Sequence, residues 1–188
     1  MRGGGGMLHR LTDGVQRWRH RSGFGVHSPF AFRVVNEMLR PSYPYYNTAK
    51  LRLLLRQENM RKLSREYELI FRIVARTGLR HAIITPDSPK ALERVLGMAG
   101  GGIVVSRGIL TPGDAPVFIY DDRASLPYAA IAAALGRDGS CALLRCCSEE
   151  IIKKVCSSQG EGLILRNRSS LLIFSRKGMA VMNYEMRF

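Results

Sequence analysis

The apolar residues of the first 78 positions recur every three or four residues, which is the spacing of one face of an α-helix. In the clearest example, Tyr67, Ile70 and Val74 predict a helix over residues 64–75 that ends with Gly78 as its C-cap. The same spacing and the capping residues predict three earlier helices: residues 8–20, residues 29–39 with Ser28 as N-cap and Pro29 in the first turn, and a helix through Leu51, Leu54 and Leu55 capped by Asn47 or Thr48. The chain up to Gly78 is therefore predicted to form a helical layer.

After Gly78 the pattern changes to short apolar runs that alternate with helical segments. Strands are predicted at residues 81–85, 103–106, 117–121 and 141–145, and helices at residues 88–96, 126–135 and 148–156, with Ser88 and Ser148 as N-caps. Such alternation implies βαβ units, hence a parallel sheet with helices on both faces.

The last part of the chain departs from this alternation. Strands are predicted at residues 163–165, 170–175 and 180–187 with only short turns between them. A turn at residues 176–178 makes the last two strands antiparallel. The predicted fold class is therefore α/β: a three-layer, Rossmann-like sheet, mostly parallel, with an antiparallel C-terminal hairpin.

Composition favours one domain. The chain has 188 residues, 46% of them hydrophobic, which is enough for one sizeable core. The glycine-rich start, residues 1–7, is expected to be disordered. Residues 8–78 are expected to form a basic helical segment packed on an α/β core at residues 79–188.

Positive charge is concentrated at the start of the chain. The net charge is +14, and the first 80 residues hold 16 Lys and Arg against 5 acids. Such a segment suits a polyanion or an acidic partner, whether nucleic acid, anionic membrane surface or protein, although a solvated helical face has the same composition. Trp18, Tyr45 and Tyr46 are candidate groups for stacking on RNA bases, and they equally suit packing between helices.

Some classes of protein and site are not indicated. No apolar run reaches the twenty or so residues that span a bilayer, and the N-terminal residues lack a hydrophobic signal core, so a cytoplasmic protein is expected. Four cysteines lie close together without zinc-ligand spacing and are expected to be reduced structural thiols: Cys141, Cys146, Cys147 and Cys156.

Polar residues follow the predicted parallel strands at their carboxyl ends, where ligands bind in open α/β sheets. The candidates are Thr85, Asp87 and Ser88 after the first strand, Ser106 at the end of the second, and Asp121 and Asp122 at the end of the third. Asp121 is the one catalytic candidate, as a general base or ligand contact. In the alternative interpretation the two acids cap the following turn through Arg123 and Ser125.

Three stretches carry a resemblance to a known family. They are Gly-Val-His-Ser-Pro-Phe-Ala-Phe at residues 25–32, followed by Tyr45-Tyr46 and a leucine-rich helix; the apolar run at residues 117–121 that closes on Asp121; and the strand at residues 171–174, followed by a short basic turn and an aromatic strand that finishes at Phe188. Together they resemble a bacterial family of class I S-adenosylmethionine-dependent methyltransferase-like proteins. The resemblance implies S-adenosylmethionine as cofactor, bound among the six candidates above.

The chain departs from the family pattern at the cofactor positions. The first strand is followed by Thr85-Pro86-Asp87-Ser88-Pro89, without the glycines that allow close approach of the cofactor to the backbone. The ribose-binding acid is replaced by Ser106-Arg107. Residues 107–115 are too few for a third strand and its crossover helices, so the second strand is expected at the sheet edge, where a homodimer would form.

These departures indicate a shortened, degenerate member with weak or no methyl transfer that acts as an interaction module. The alternatives are an active S-adenosylmethionine-dependent (O-)methyltransferase and a nucleic-acid-binding protein that uses the basic N-terminal helices. Related metal-dependent O-methyltransferases place paired acids where this chain has Arg145-Cys146, so no metal is expected.

Overall fold

The structure is a computed structural model that describes residues 28–43, 45–108, 114–186 and 188. The predicted helix at residues 8–20 and the glycine-rich start lie outside these residues. The helices are α1 (Pro29–Arg33), continued by a π-helical segment (Val34–Leu39), α2 (Thr48–Gln57), a 3₁₀ turn (Arg61–Leu63), α3 (Ser64–Thr77), α4 (Lys90–Ala99), α5 (Tyr128–Leu135) and α6 (Glu149–Ser158). The strands are β1 (His81–Ile84), β2 (Val104–Arg107), β3 (Val117–Asp121), β4 (Cys141–Leu144), β5 (Leu163–Arg166), β6 (Leu171–Phe174) and β7 (Met182–Glu185).

The strands form one sheet in the order β2-β1-β3-β4-β6-β5-β7. All neighbouring pairs are parallel except those of β6, which runs antiparallel to β4 and β5. The predicted α/β class with a mostly parallel sheet is thus confirmed, and the architecture is compatible with a Rossmann-like fold. Because the connection after β1 runs to β2 on one side and the connection after β3 runs to β4 on the other, the gap between β1 and β3 is a topological switch point.

The predicted C-terminal hairpin is wrong in its pairing. The last two strands, β6 and β7, do run in opposite directions, but β5 lies between them and pairs with both. The tight turn is the earlier one, where the Asn167 N–H donates to Ser170 O at 3.0 Å and joins β5 to β6. The residues between β6 and β7 then let the chain pass β5 to its outer edge.

The core lies on both faces of the sheet, because side chains along each strand point alternately to opposite sides. On β1, Ala82 and Ile84 belong to an apolar cluster with helices α1 to α4, whereas Ile83 belongs to a second cluster with α5 and α6. Within the described ranges, no helix combines the length and apolar character needed to cross a bilayer.

Two of the three predicted serine N-caps are confirmed. The Ser28 and Ser148 hydroxyls accept hydrogen bonds from the N–H groups of Ala31 and Ile151. Ser88 is not the cap of α4, because its buried hydroxyl lies 2.6 Å from the Thr85 hydroxyl and the helix begins at Lys90.

Strand β2 lies at the edge of the described sheet, as predicted, with β1 as its one neighbour. Its first residue, Val104, is 54% exposed. A homodimer through this edge stays a prediction.

Candidate functional site

Three of the predicted site residues meet where β1 and β3 end. The Thr85 hydroxyl lies 2.6 Å from the Ser88 hydroxyl and donates to Asp122 Oδ1 at 3.2 Å. Thr85 and Ser88 are both buried. The three side chains therefore satisfy one another across the switch point. Of the other candidates, Asp87 is exposed, and Ser106 is half-buried on β2 and already has an interaction partner.

Arg107, at the end of β2, closes the loop that follows β1. Its Nη1 donates to Pro86 O at 2.6 Å and to Ser88 O at 2.8 Å, and its Nε donates to Glu93 at 2.7 Å. The next residue, Gly108, has φ +68°, and a Cβ there would lie 2.8 Å from the Pro86 ring. The loop is thus held from outside by the chain's own side chains.

The same loop offers few backbone donors. Pro86 and Pro89 have no N–H, and the Ser88 N–H donates to Thr85 O at 3.1 Å. The amino-acid part of S-adenosylmethionine would need backbone donors and close approach at this turn. The residues present therefore do not fit the cofactor that the family resemblance implies.

Asp121 is fully buried and caps the turn that follows it. Its Oδ1 accepts hydrogen bonds from the N–H groups of Arg123 (3.2 Å) and Ser125 (3.0 Å) and from the Ser125 hydroxyl, and its Oδ2 accepts from the Leu126 N–H at 2.9 Å. This geometry matches the interpretation in which the acid stabilises a turn. As a catalytic residue Asp121 stays a prediction, and both of its buried carboxylate oxygens already accept hydrogen bonds from the turn.

A second polar cluster lies at the same carboxyl ends of the strands. The sequence did not single out its residues as site residues. Glu66 of α3 accepts a hydrogen bond from the Tyr120 hydroxyl at 2.7 Å and forms an ion pair with Arg145, which follows β4. Burial raises the pKa of Glu66, and Asp122 adds to this, whereas the bonds to Tyr120 and Arg145 partly offset it. The sequence signal for Arg145 is its place directly after a strand. Glu66, in a helix 79 positions away, has no local signal.

Tyr67 lies beside this cluster with its hydroxyl unpaired. Tyr67 is 0% exposed. Among the described residues, its hydroxyl is the only buried side-chain nitrogen or oxygen that lacks a hydrogen-bond partner. Burial, with the nearby charges of Glu66 and Asp122, raises the pKa of Tyr67 to about 12. The Tyr67 hydroxyl is thus a buried donor that no described residue accepts from.

A cleft of about 1000 Å³ opens beside Glu66 and Arg145. We call it the basic cleft. The first half of α3 and the turn between β5 and β6 form its walls. Its charged lining consists of Arg40, Lys62, Arg65, Arg72, Arg145, Glu66 and Glu68.

The remaining sequence candidates are distributed elsewhere. Tyr45 packs edge-on against Phe71 and under the Arg76 guanidinium, so it belongs to the helix packing. Tyr46 is 81% exposed, and Trp18 lies outside the described residues. The four cysteines are free thiols, with Cys141 and Cys147 buried. The described residues contain no group of three or more metal-ligating side chains.

Comparisons with protein-family models, with curated proteins and with solved structures found no match. The geometry of the site is therefore the basis for its interpretation.

Proposed function

We propose that this chain is a methyltransferase-like domain that no longer transfers methyl groups and acts as an interaction module for an anionic partner. The observation that carries the proposal is the closed loop after β1. There, Arg107 donates hydrogen bonds to the carbonyl oxygens of Pro86 and Ser88. The side chains of Thr85, Ser88 and Asp122 form hydrogen bonds with one another.

The binding part of the proposal is supported by charge. The chain carries a net charge of +14. Five cations line a single cleft at the carboxyl end of β4, the edge at which open α/β sheets bind ligands. A cleft of this sign attracts anions and raises their local concentration.

Calorimetric titration with S-adenosylmethionine and with its demethylated product tests the loss of the cofactor site. We expect no heat of binding up to about 1 mM, that is, affinity weaker than ~4 kcal/mol. Binding tighter than about 100 µM, roughly 5.5 kcal/mol, would contradict the proposal and favour an active methyltransferase. The Arg107→Ala variant is the matched probe, since weak binding that strengthens in this variant would identify Arg107 as the obstruction.

A further inference from the structure

The carboxylates of the basic cleft already have partners. Glu66 is held by Tyr120 and Arg145. Glu68 accepts two hydrogen bonds from Arg52, at 2.7 and 3.2 Å, and Arg52 does not line the cleft. The lining has five cationic side chains against two acidic ones, so its side chains carry a net charge of +3. The described lining therefore contains more cationic than acidic side chains.

Arg72 is a fixed and poorly hydrated cation in this cleft. Its side chain is 13% exposed, and its Nε donates to Met38 O at 2.6 Å, which holds the guanidinium in place. Its Nη1 forms an ion pair with Glu68 at 3.8 Å, which is beyond hydrogen-bond distance. Burial lowers the pKa of Arg72 because the charged form loses hydration. An anion beside Arg72 would restore that lost solvation with charge-assisted hydrogen bonds.

Lys62 and Arg65 lie on the rim of the cleft and are exposed. Neither has an ion-pair partner in the described part of the chain. They are free to turn toward a ligand, and two flexible cations near one fixed guanidinium suit a chain of phosphate groups better than a single carboxylate.

The rest of the lining combines apolar and polar residues. Leu39, Leu63, Leu69 and Phe188 give an apolar surface, and Asn167 and Ser169 add hydrogen-bonding groups. The cleft volume lies at the upper end of the range of about 300–1,000 Å³ for small-molecule sites. A cleft of this volume with an apolar surface and cationic side chains at its rim fits a compact ligand with a flat apolar body and several phosphates. A long polymer would instead need a charged groove that continues beyond the cleft.

We propose that the basic cleft is a binding site for a nucleoside di- or triphosphate. Arg72, Lys62 and Arg65 hold the phosphates, and Phe188 with the leucines contacts the base. The inference rests on the proposed function in that it names the anionic partner of the interaction module.

Calorimetry with ATP, adenosine, pyrophosphate and a short single-stranded oligonucleotide, at about 50 mM salt, tests the assignment. ATP is expected to bind, with adenosine and pyrophosphate each at least ~10-fold weaker, because each lacks one half of the recognised ligand. The double variant Lys62→Ala/Arg65→Ala is expected to weaken ATP binding by about 10-fold or more. The control Lys50→Ala/Lys153→Ala removes the same charge from exposed positions outside the lining and is expected to change affinity less than ~2-fold.

No ATP binding up to about 10 mM would overturn the assignment. Pyrophosphate binding as tightly as ATP would overturn it in favour of a simple anion site, and an oligonucleotide binding more tightly than ATP would overturn it in favour of nucleic acid. Equal losses in the two double variants would also overturn it, since the effect would then be one of overall charge. These outcomes are separate from the S-adenosylmethionine titration, which tests the proposed function on its own.

Discussion

Two tyrosines beside Glu66, Tyr67 on α3 and Tyr120 on β3, are expected to change the stability of the fold in opposite directions when they lose the hydroxyl. The Tyr120 hydroxyl donates to the carboxylate of Glu66, whose side chain is 13% exposed, so Tyr120→Phe leaves a buried acid with one partner fewer. Hydrogen bonds to charged groups contribute about 1.5–3 kcal/mol, and we expect the free energy of unfolding to fall by about 2 kcal/mol. The Tyr67 hydroxyl has no partner among the described residues, so Tyr67→Phe removes a desolvated polar atom and is expected to stabilise the fold by up to about 1 kcal/mol.

Urea unfolding of the wild type and both variants, monitored by circular dichroism, measures these changes. The two variants are expected to differ by about 2–3 kcal/mol, which corresponds to about 6 °C in melting temperature for a chain of this size. The two substitutions remove the same atom at buried positions of the same edge, so each is the control for the other. A loss of more than about 1 kcal/mol in Tyr67→Phe would refute the reasoning, because it would mean that the hydroxyl has a partner in solution.

Three further predictions concern the acids of the edge and one glycine. Burial raises the pKa of Glu66 above its usual 4.5, so the folded protein binds this proton more readily than the unfolded chain, and stability falls as pH rises through the folded-state pKa; in pH-dependent urea unfolding, Glu66→Gln should lack this part of the decline above about pH 4.5. Asp121→Asn should cost about 2–3 kcal/mol in the same assay because the turn loses charged acceptors, whereas half-buried Asp122→Asn should cost about 1 kcal/mol or less; equal costs would contradict the turn-capping role. Gly162→Ala should lower stability by about 3 kcal/mol or more, since φ is +115° and a Cβ would lie 2.1 Å from Phe174 O. Thermal melting measures this loss, and Gly160→Ala is the control, expected to have little effect because a Cβ there would meet open space.

The local elements of the fold were predictable because their signals are local. Strand β3 has the predicted bounds, since an uninterrupted apolar run at residues 117–120 lies between Pro116 and Asp121. Helix α3 follows from its apolar spacing and from Gly78, which adopts φ +68° as C-cap. In these segments the periodicity and the terminating residues point to the same structure.

The pairing of distant segments was not predictable in the same way. Strand β6 lies between β4 and β5. The sequence of an apolar run such as Leu171–Phe174 does not indicate which strands it will pair with. Ser88 has the sequence of an N-cap, but burial beside Thr85 gives its hydroxyl a closer partner.

The candidate site was predictable only in the part that lies on the strand ends. The rule that ligands bind at the carboxyl ends of parallel strands indicated Thr85, Ser88 and Asp122, and these three side chains do contact one another. It did not indicate Glu66 or Arg72, because helix α3 reaches the edge only through tertiary packing.

Amide chemical-shift mapping of ¹⁵N-labelled protein tests most directly the claim that ligands bind in the basic cleft and not in the loop after β1. The protein would be titrated separately with S-adenosylmethionine and with ATP. We predict that ATP shifts the amide signals of Arg65 and Ser169, whereas S-adenosylmethionine leaves those of Thr85 and Ser88 unchanged. Shifts of Thr85 and Ser88 that saturate with S-adenosylmethionine would contradict the account and show that the closed loop still holds the cofactor.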